Sequence, residues 1–207
     1  MLLCAAALWR KNDALLSEID SRFGDGDHGV TIGKIANVFE DRVKDWKDES
    51  IREFIETLSN SVLGVSGGSA GPLYGTLIGG LAVPLGDEKQ LDGAMLKKML
   101  QGSVDEMSAL TKARVGDKTM MDALIPAVRA ASGAGGDIRD ILTAASQAAV
   151  DGAEHTKSIA SKFGRARSYG DRTIGTPDAG AVSTSLFFQG LRNGFGDLVN
   201  RPGDGTN

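Results

Sequence analysis

The chain has 207 residues, a formal net charge of −4, 41% hydrophobic residues and 24% charged residues. This length is typical of one domain with a substantial core, and the composition is that of a globular protein and excludes a disordered one. The basic residues form no long run, which argues against a nucleic-acid partner, because duplex binding usually leaves a basic footprint.

The N-terminal segment has an apolar start that a leader peptide or a helix could explain. No positive charge precedes its apolar start, and the apolar stripe continues through Leu15, Leu16 and Ile19. This spacing predicts an amphipathic helix over residues 2–20 rather than a cleaved signal peptide. No apolar run is long enough to span a bilayer, and the single cysteine, Cys4, suits a reducing compartment. We therefore expect a cytoplasmic protein with no membrane partner.

Further helices follow in chain order. Apolar residues recur at helical spacing over residues 51–63 and 91–110, and residues 138–159 are rich in alanine, the best helix former. Strand signals are weak, since aromatic residues make up 5% of the chain and no alternating apolar run is bounded by a tight hairpin dipeptide. The pattern predicts an all-α fold of about seven to nine helices with little or no sheet.

Glycine marks the connections between these helices. Many of the 28 glycines fall in four segments, residues 23–29, 64–75, 115–119 and 163–180. Because glycine is costly inside a helix, this concentration indicates backbone that turns sharply or approaches a ligand. We expect one domain over residues 1–200, built as a helical bundle with these loops gathered at one end, and a frayed tail over residues 201–207.

The most informative loop contains three aspartates, Asp20, Asp25 and Asp27. Three carboxylates this close repel one another unless a cation binds, and all-oxygen ligands suit magnesium or calcium. The amides of residues 28–31 would open the next helix, whose N-terminus favours a phosphate. A solvated turn in which Asp27 merely caps that helix is an equal alternative. An EF-hand is excluded, because the twelfth loop position counted from Asp25 is Ala36 and not glutamate.

Two further glycine-rich segments carry weaker signals. Residues 66–75 resemble a phosphate- or base-cradling loop, but the GK[ST] ending of a P-loop is missing, and close helix packing through small residues explains them equally well. Residues 116–120, Gly-Asp-Lys-Thr-Met, predict a helix start with Asp117 or Thr119 near its cap.

Residues 162–180 have no helical period, several glycines and four basic residues. Long ordered loops of this kind are often lids or binding loops, and arginine suits phosphate because its guanidinium donates two hydrogen bonds at once. A mobile surface loop with solvated arginines is an equal alternative. Of the two histidines, His28 could donate to a phosphate or orient an aspartate, and His155 is interpreted as structural.

These motifs, in this order, resemble the L subunit of dihydroxyacetone kinase, the DhaL or DAK2 domain family. The family's aspartate followed by Gly-Asp-x-Asp-His-Gly matches Asp20 and residues 24–29, and its Gly-Gly-(Ala/Ser)-Ser-Gly-Pro-Leu loop matches residues 67–73. Gly-Asp-Lys-Thr-Met is intact, and the family's lid motifs match residues 164–166, 170–175 and 178–181. The resemblance covers nearly the whole chain.

The resemblance implies a barrel of about eight antiparallel helices with glycine-rich nucleotide loops at one end. It implies that Asp20, Asp25 and Asp27 hold two magnesium ions that bridge the phosphates of ADP or ATP. The implied nucleotide contacts are His28, Gly29 and Thr31 at the phosphates, Ser69 and Ala70 in the second loop, Met120 at the base, and Arg165, Asp178, Ala179 and Gly180 closing over it. The implied catalytic residues are Asp20, Asp25, Asp27, His28 and Arg165, since phosphoryl transfer needs positioning and charge neutralisation more than a protein nucleophile.

The chain departs from the family pattern at several positions outside the aspartates. The usual Ala-Ser pair is Ser69-Ala70, an asparagine common after His-Gly-x is Thr31, an extra Arg167 displaces the tyrosine of the lid, and Asp-Pro-Gly has Ala179 in place of proline. These changes leave the implied metal ligands in place and bear on the donor contacts and the substrate class, since kinases of four-carbon ketoses share the architecture.

In this family a separate K subunit or domain holds the ketose covalently on a histidine. A chain of 207 residues with two histidines has no room for that domain, so the resemblance implies a K-type substrate-binding partner. The phosphoryl donor is either ATP or a phosphotransferase protein that rephosphorylates bound ADP, and a homodimer is one option for the assembly. Three alternatives stay open: the nucleotide subunit of a fatty-acid-type kinase, whose loop usually lacks the equivalent of His28; a nucleotide sensor that binds a transcription regulator; and a plain helical metal-binding protein.

Overall fold

The computed structural model describes the backbone of residues 1–199 and the side chains of residues 1–196, and no β-strand occurs in that part of the chain. The α-helices, in chain order, are α1 (Leu2–Lys11), α2 (Asp13–Ser21), α3 (His28–Lys44), α4 (Ile51–Leu63), α5 (Ala70–Ala82), α6 (Gly93–Leu110), α7 (Met121–Gly133), α8 (Ile138–His155) and α9 (Ala179–Val199). Two 3-10 segments, Thr156–Ser158 and Arg165–Thr173, lie between α8 and α9. The predicted all-α fold is confirmed, and the predicted tail lies outside the described residues.

The helices α1 and α3–α9 close into a ring. From α3 to α9 each helix packs against the next one in the chain, and α1 closes the ring by packing against both α3 and α9. Helix α2 follows α1 after a one-residue break and packs against α3 and α9. A closed ring gives each helix two neighbours, so the apolar stripes of all these helices face one shared core. Among residues 1–199, no helix is both long and apolar enough to cross a lipid bilayer.

Local sequence sets where several helices begin. Ser50 and Glu53 form a reciprocal capping box at α4, in which each side chain accepts a hydrogen bond from the other residue's backbone N–H. Asp92 and Asp137 cap α6 and α8 with their carboxylates. Each such cap contributes about 1 kcal/mol to helix stability.

An aromatic cluster fills the middle of the ring. The Trp9 ring lies 5.1 Å from Phe39 and 5.2 Å from Tyr74, both in edge-on geometry, and 5.8 Å from Phe187 in stacked geometry. All four side chains are buried. Aromatic pairs at these distances add about 0.5–1.5 kcal/mol beyond the burial of their area. The cluster therefore ties α1, α3, α5 and α9 together directly below the loops.

The structure corrects several predicted boundaries. The helix expected over residues 2–20 breaks at Asn12, whose side-chain amide donates to the Leu8 carbonyl and competes with helical hydrogen bonding. The loop expected over residues 64–75 ends at Ser69, because Pro72 lies in the first turn of α5, where a missing N–H costs no hydrogen bond. A Cβ on Gly75 would overlap Leu63 of α4, so close helix packing explains this glycine. The helix expected over residues 138–159 ends at His155 and continues as a 3-10 turn.

Candidate functional site

Every second connection of the ring lies at the same end of the molecule. The α2–α3, α4–α5, α6–α7 and α8–α9 connections together line one cleft with a volume of about 610 Å³. This volume is in the range of small-molecule sites, roughly 300–1000 Å³. The predicted site residues on its wall are Asp20, Asp25, Asp27, His28, Ser69, Ala70, Met120, Arg165, Asp178, Ala179 and Gly180.

The three aspartates of the α2–α3 connection converge in this cleft. Asp20 is in the last turn of α2, and its carboxylate accepts a hydrogen bond of 2.9 Å from the Gly26 amide, which curls the loop back over the helix end. One carboxylate oxygen from each of Asp20, Asp25 and Asp27 lies within 4.8 Å of the others. A Cβ on Gly24 would overlap the Asp20 carboxylate, so the tight turn needs glycine there.

The charges of this cluster are unevenly compensated. Desolvation, followed by the negative charges of Asp25 and Asp20, raises the pKa of Asp27. Desolvation acts on Asp25 in the same direction, but a backbone hydrogen bond and the Arg165 guanidinium outweigh it and lower the pKa of Asp25. Arg165 forms an ion pair with Asp25. Three converging oxygen donors with an excess of negative charge fit a hard divalent cation such as magnesium.

Asp27 is the N-cap residue of α3, but its side chain makes no capping hydrogen bond. The alternative in which the Asp27 carboxylate serves only to cap α3 is therefore wrong. The Thr31 amide donates to the Asp27 carbonyl, and the Thr31 side chain is buried against Gly67. Gly29 is also buried, against the backbone of α2. Gly29 and Thr31 thus lie behind the cleft wall, whereas the other predicted nucleotide contacts lie on it.

His28 connects the site to the core. Its Nε2 lies 2.9 Å from Ser183 Oγ, and Ser183 Oγ in turn accepts a hydrogen bond of 2.7 Å from the Tyr74 hydroxyl. The Ser183 carbonyl accepts a further hydrogen bond from the indole of Trp9. Burial lowers the pKa of His28 to about 4, so its ring is neutral at pH 7. A neutral imidazole at this place can donate one hydrogen bond without adding charge.

The α4–α5 connection forms the wall beside Asp27. Gly67 and Gly68 both have positive φ, 134° and 51°, and a Cβ on Gly68 would stand 3.4 Å from the Asp27 carboxylate. Ser69 is the N-cap residue of α5, and its hydroxyl makes no capping hydrogen bond. On the α6–α7 side the lining is mixed: Met107, Met120 and Met121 are apolar, and Thr111, Lys118 and Thr119 are polar or charged. Carboxylates at one part of the cleft and apolar side chains at another suit a ligand with a charged end and a flat apolar end.

The long segment predicted as an uninterrupted loop contains a 3-10 helix and is closed over the cleft. We call residues 162–172 the lid. Besides the ion pair of Arg165 with Asp25, the ring of Tyr169 packs on Phe23 of the aspartate loop at 5.2 Å between centroids. Gly164 and Gly170 adopt positive φ, 62° and 54°, where the backbone bends at the start and in the middle of the lid.

Asp178, Ala179 and Gly180 lie where the segment enters α9. The Asp178 carboxylate accepts a hydrogen bond of 2.7 Å from the Ala181 amide, which makes it a cap of that helix. Burial, with the charge of Asp122 added, raises the pKa of Asp178 to about 7 even though Lys118 opposes the shift. A Cβ on Gly180 would stand 3.4 Å from Met120, so the start of α9 packs closely on the α6–α7 connection.

Sequence reasoning missed two charged residues at the site. Lys118 and Asp122 are buried, and Lys118 lines the cleft. The Asp122 carboxylate accepts hydrogen bonds from the amides of Gly116 and Thr119, at 2.6 and 2.8 Å, and so shapes the Gly-Asp-Lys-Thr-Met turn. Thr119 lies next to Met120, the N-cap residue of α7, and its hydroxyl accepts a hydrogen bond from the Met121 amide, but no side chain caps the helix. The Asp117 carboxylate accepts from the Arg114 amide. The one sequence feature that could have indicated a role for Lys118 is its position within a turn motif directly before an apolar helix.

A family model described as the DAK2 domain matches residues 22–193. The chain belongs to the DAK2-domain family. It is 28% identical over 182 residues to the ADP-binding subunit DhaL of PEP-dependent dihydroxyacetone kinase 1 of Listeria innocua, and the match covers 88% of this chain and 87% of that subunit. It is 30% identical over 179 residues to the ADP-binding subunit DhaL of Escherichia coli, with 85% of each chain covered. In both comparisons the similarity extends over most of this chain and most of the related subunit.

Other DAK2-domain relatives are much longer. The chain is 29% identical over 198 residues to the L-erythrulose kinase of Pectobacterium atrosepticum, covering 90% of this chain and 34% of that enzyme. Its fold matches the crystal structure of the dihydroxyacetone kinase of C. freundii with a TM-score of 0.74 at 22% identity, covering 93% of this chain and 33% of that one. The same kinase in complex with AMP-PNP and Mg2+ gives a TM-score of 0.69 at 23% identity. The chain thus spans about a third of these kinases, and the structural likeness establishes the helical fold.

Proposed function

We propose that this DAK2-domain chain is the nucleotide-binding subunit of a dihydroxyacetone-type kinase and holds ADP or ATP through magnesium. The observation that carries the proposal is the convergence of Asp20, Asp25 and Asp27 in a cleft that also has an apolar wall. Relatives that match this chain over most of their length are named as ADP-binding subunits, and a similar fold was solved with AMP-PNP and Mg2+.

In this proposal the three aspartates together would ligate two magnesium ions. Magnesium, when bound, neutralises phosphate charge and favours an in-line displacement at phosphorus. The chain's own residues would position the nucleotide. Arg165 reaches the aspartate cluster and would donate to the phosphates. His28 would lie beside the phosphates as a neutral ring that does not repel a cation, held in place by its hydrogen bond with Ser183.

Ser69 and Ala70 would contact the nucleotide from the start of α5, and Met120 would contact the base. The α3 N-terminus adds the amides of its first turn, which favour an anion. Asp178, Ala179 and Gly180 would close the cleft from the α9 side. Gly29 and Thr31 would then act by shaping that wall from behind rather than by contacting the ligand.

The phosphoryl acceptor would be supplied by a second protein. We propose that a K-type subunit holds a short-chain ketose in front of the cleft, whose own lining of carboxylates and apolar side chains would hold the nucleotide. The phosphoryl donor is either exchanging ATP or a phosphotransferase protein that recharges bound ADP, and the name of the Listeria relative, a PEP-dependent kinase subunit, is compatible with the second. A cytoplasmic location and a homodimer stay predictions.

Calorimetric titration of the metal-stripped chain with ADP and with ATP, each with and without magnesium, tests the proposal. We expect magnesium-dependent binding in the micromolar range or tighter. Addition of a K-type subunit loaded with dihydroxyacetone should then give transfer that requires both chains. Slow release of ADP would favour the bound-cofactor mode, and an absence of nucleotide binding with and without the K-type subunit would contradict the proposed function.

A further inference from the structure

Lys118 lies beneath the lid with its ammonium group enclosed by backbone. Among the described residues it is the only buried lysine, with 4% of its surface exposed. Its backbone has a φ of 61°, a conformation that a non-glycine residue keeps only when its surroundings hold it there. Neither the metal ligands nor the proposed nucleotide contacts include it.

Four carbonyl oxygens surround the ammonium group of Lys118. The distances from Nζ are 2.7 Å to Thr156, 3.1 Å to Ile159, 2.8 Å to Thr173 and 2.6 Å to Thr176. An ammonium group has three protons, so one proton is shared between two of these carbonyls. Such a cage of carbonyl oxygens is a cation site that a side chain of the protein fills.

The four carbonyls belong to the two stretches of backbone from which the lid extends. We call residues 156–161 and 173–178 the lid stem. Hydrogen bonds join its two sides: the Gly175 amide donates to the Lys157 carbonyl at 2.7 Å, the Ser161 amide to the Thr173 hydroxyl at 2.9 Å, and the Asp178 amide to Thr156 Oγ1 at 2.9 Å. Lys118 takes two carbonyls from each side, so it crosslinks the stem from below.

We propose that Lys118 is a positioning residue whose ammonium group closes the lid stem and thereby holds the lid over the cleft. Without a cation, four carbonyl dipoles would point at one another across a buried space, and the two sides of the stem would separate. Arg165 lies just beyond one side of the stem, and Asp178 ends the other. Loss of the ammonium group would therefore displace both from the aspartate cluster and the α9 end of the cleft.

The first test uses trypsin on the full chain, because the lid carries the exposed residues Arg165, Arg167 and Arg172. Lys118→Met keeps the volume of the side chain and removes the charge, and we expect cleavage in the lid to be about tenfold faster or more. Cleavage at Lys44, the last residue of α3, and at Lys47 just after it, at the other end of the ring, should not change. Lys112→Met, which removes an exposed lysine from the α6–α7 connection, is the matched control and should behave as wild type.

The second test is chemical rescue. Lys118→Ala leaves the carbonyl cage and the space of the side chain open, so n-propylammonium ions should enter and slow lid cleavage back towards the wild-type rate. The same ions should not rescue Lys118→Met, whose side chain fills that space. Rescue of Lys118→Ala but not of Lys118→Met would show that an ammonium group in the cage slows lid cleavage. Unchanged cleavage at Lys44 and Lys47 in the same digests would separate this local effect on the lid from a general loss of stability.

The third readout is the affinity for ADP with magnesium, which rests on the proposed function. We expect about tenfold weaker binding by Lys118→Ala and recovery with propylammonium. If the wild-type chain binds no ADP, the proposed function fails, while the trypsin and rescue results still decide the role of Lys118. Wild-type lid cleavage in both folded variants overturns the proposal. Failure of both variants to fold also overturns it, because Lys118 would then stabilise the whole fold rather than position the lid.

Discussion

Replacement of Asp27 by asparagine should have opposite effects on the metal-free chain and on its complex with nucleotide. In the metal-free state the Asp27 carboxylate lies beside those of Asp20 and Asp25, and one oxygen from each of the three lies within 4.8 Å of the others. Arg165 pairs with Asp25, so Asp27 is the poorly compensated member of the cluster. Asp27→Asn preserves the shape of the side chain and removes its charge.

The size of the effect follows from Coulomb's law. At a separation of 4–5 Å a pair of like charges costs about 1 kcal/mol in water. Asp27 takes part in two of the three pairs of the cluster, so its neutralisation should raise the free energy of unfolding of the metal-free chain by about 1–2 kcal/mol. For a chain of this length the melting temperature would rise by roughly 2–8 °C.

Thermal melting in EDTA and in saturating ADP with magnesium measures both effects. In EDTA, Asp27→Asn should have a higher melting temperature than wild type. Addition of ADP with magnesium should raise its melting temperature far less than that of wild type. In Asp25→Asn the nucleotide should also raise the melting temperature far less than in wild type. The melting temperature in EDTA should not rise, because this substitution removes the Arg165 ion pair together with the repulsion between carboxylates. Asp41→Asn, an exposed carboxylate at the far end of α3, is the control. A lower melting temperature of Asp27→Asn in EDTA, or an unchanged response to ADP with magnesium, would refute the reasoning.

Three further perturbations test other parts of the site. Burial raises the pKa of Asp178 to about 7, so between about pH 4 and pH 7 the folded chain keeps a proton that the unfolded chain has lost, and stability falls as the pH rises. Asp178→Asn keeps the acceptor oxygen, and in urea unfolding its stability relative to wild type should increase up to about pH 7 and then level off. Arg165→Gln should weaken calorimetric binding of ADP with magnesium about tenfold or more, whereas Arg167→Gln beside it should not. Gly29→Ala would force a Cβ into the backbone of α2 and should cost about 1–3 kcal/mol in urea unfolding, whereas Gly33→Ala on the same helix has open space and should gain up to about 1 kcal/mol.

Each of these expectations has a contrary outcome. A constant difference between Asp178→Asn and wild type over this pH range would show that the carboxyl titrates at its ordinary pKa. Equal losses of affinity in both arginine variants would indicate a general electrostatic contribution of the lid. Equal stabilities of Gly29→Ala and Gly33→Ala would mean that α2 and α3 can separate without cost.

Much of the local structure was predictable because it depends on neighbours in the chain. The periodic apolar residues specify most helices, and the capping box at Ser50 and Glu53 marks the start of α4. Asp20, Asp25 and Asp27 lie within eight positions, so any tight turn between two helices brings their carboxylates together. Local hydrogen bonding by one side chain also explains the main error, since Asn12 interrupts a stripe that the apolar pattern alone reads as continuous.

The sequence by itself determined the all-helical class, the alternation of helix and glycine-rich turn, and the clustering of the aspartates, because each follows from spacing along the backbone. Only the tertiary structure decided which distant residues meet. Arg165 reaches Asp25 across 140 positions, Ser183 joins His28 to the aromatic core, and Lys118 bonds to both sides of the lid stem. These contacts depend on how α1 closes the ring with α9 and on the register of packed helices, and such long-range packing leaves no periodic signal in the chain.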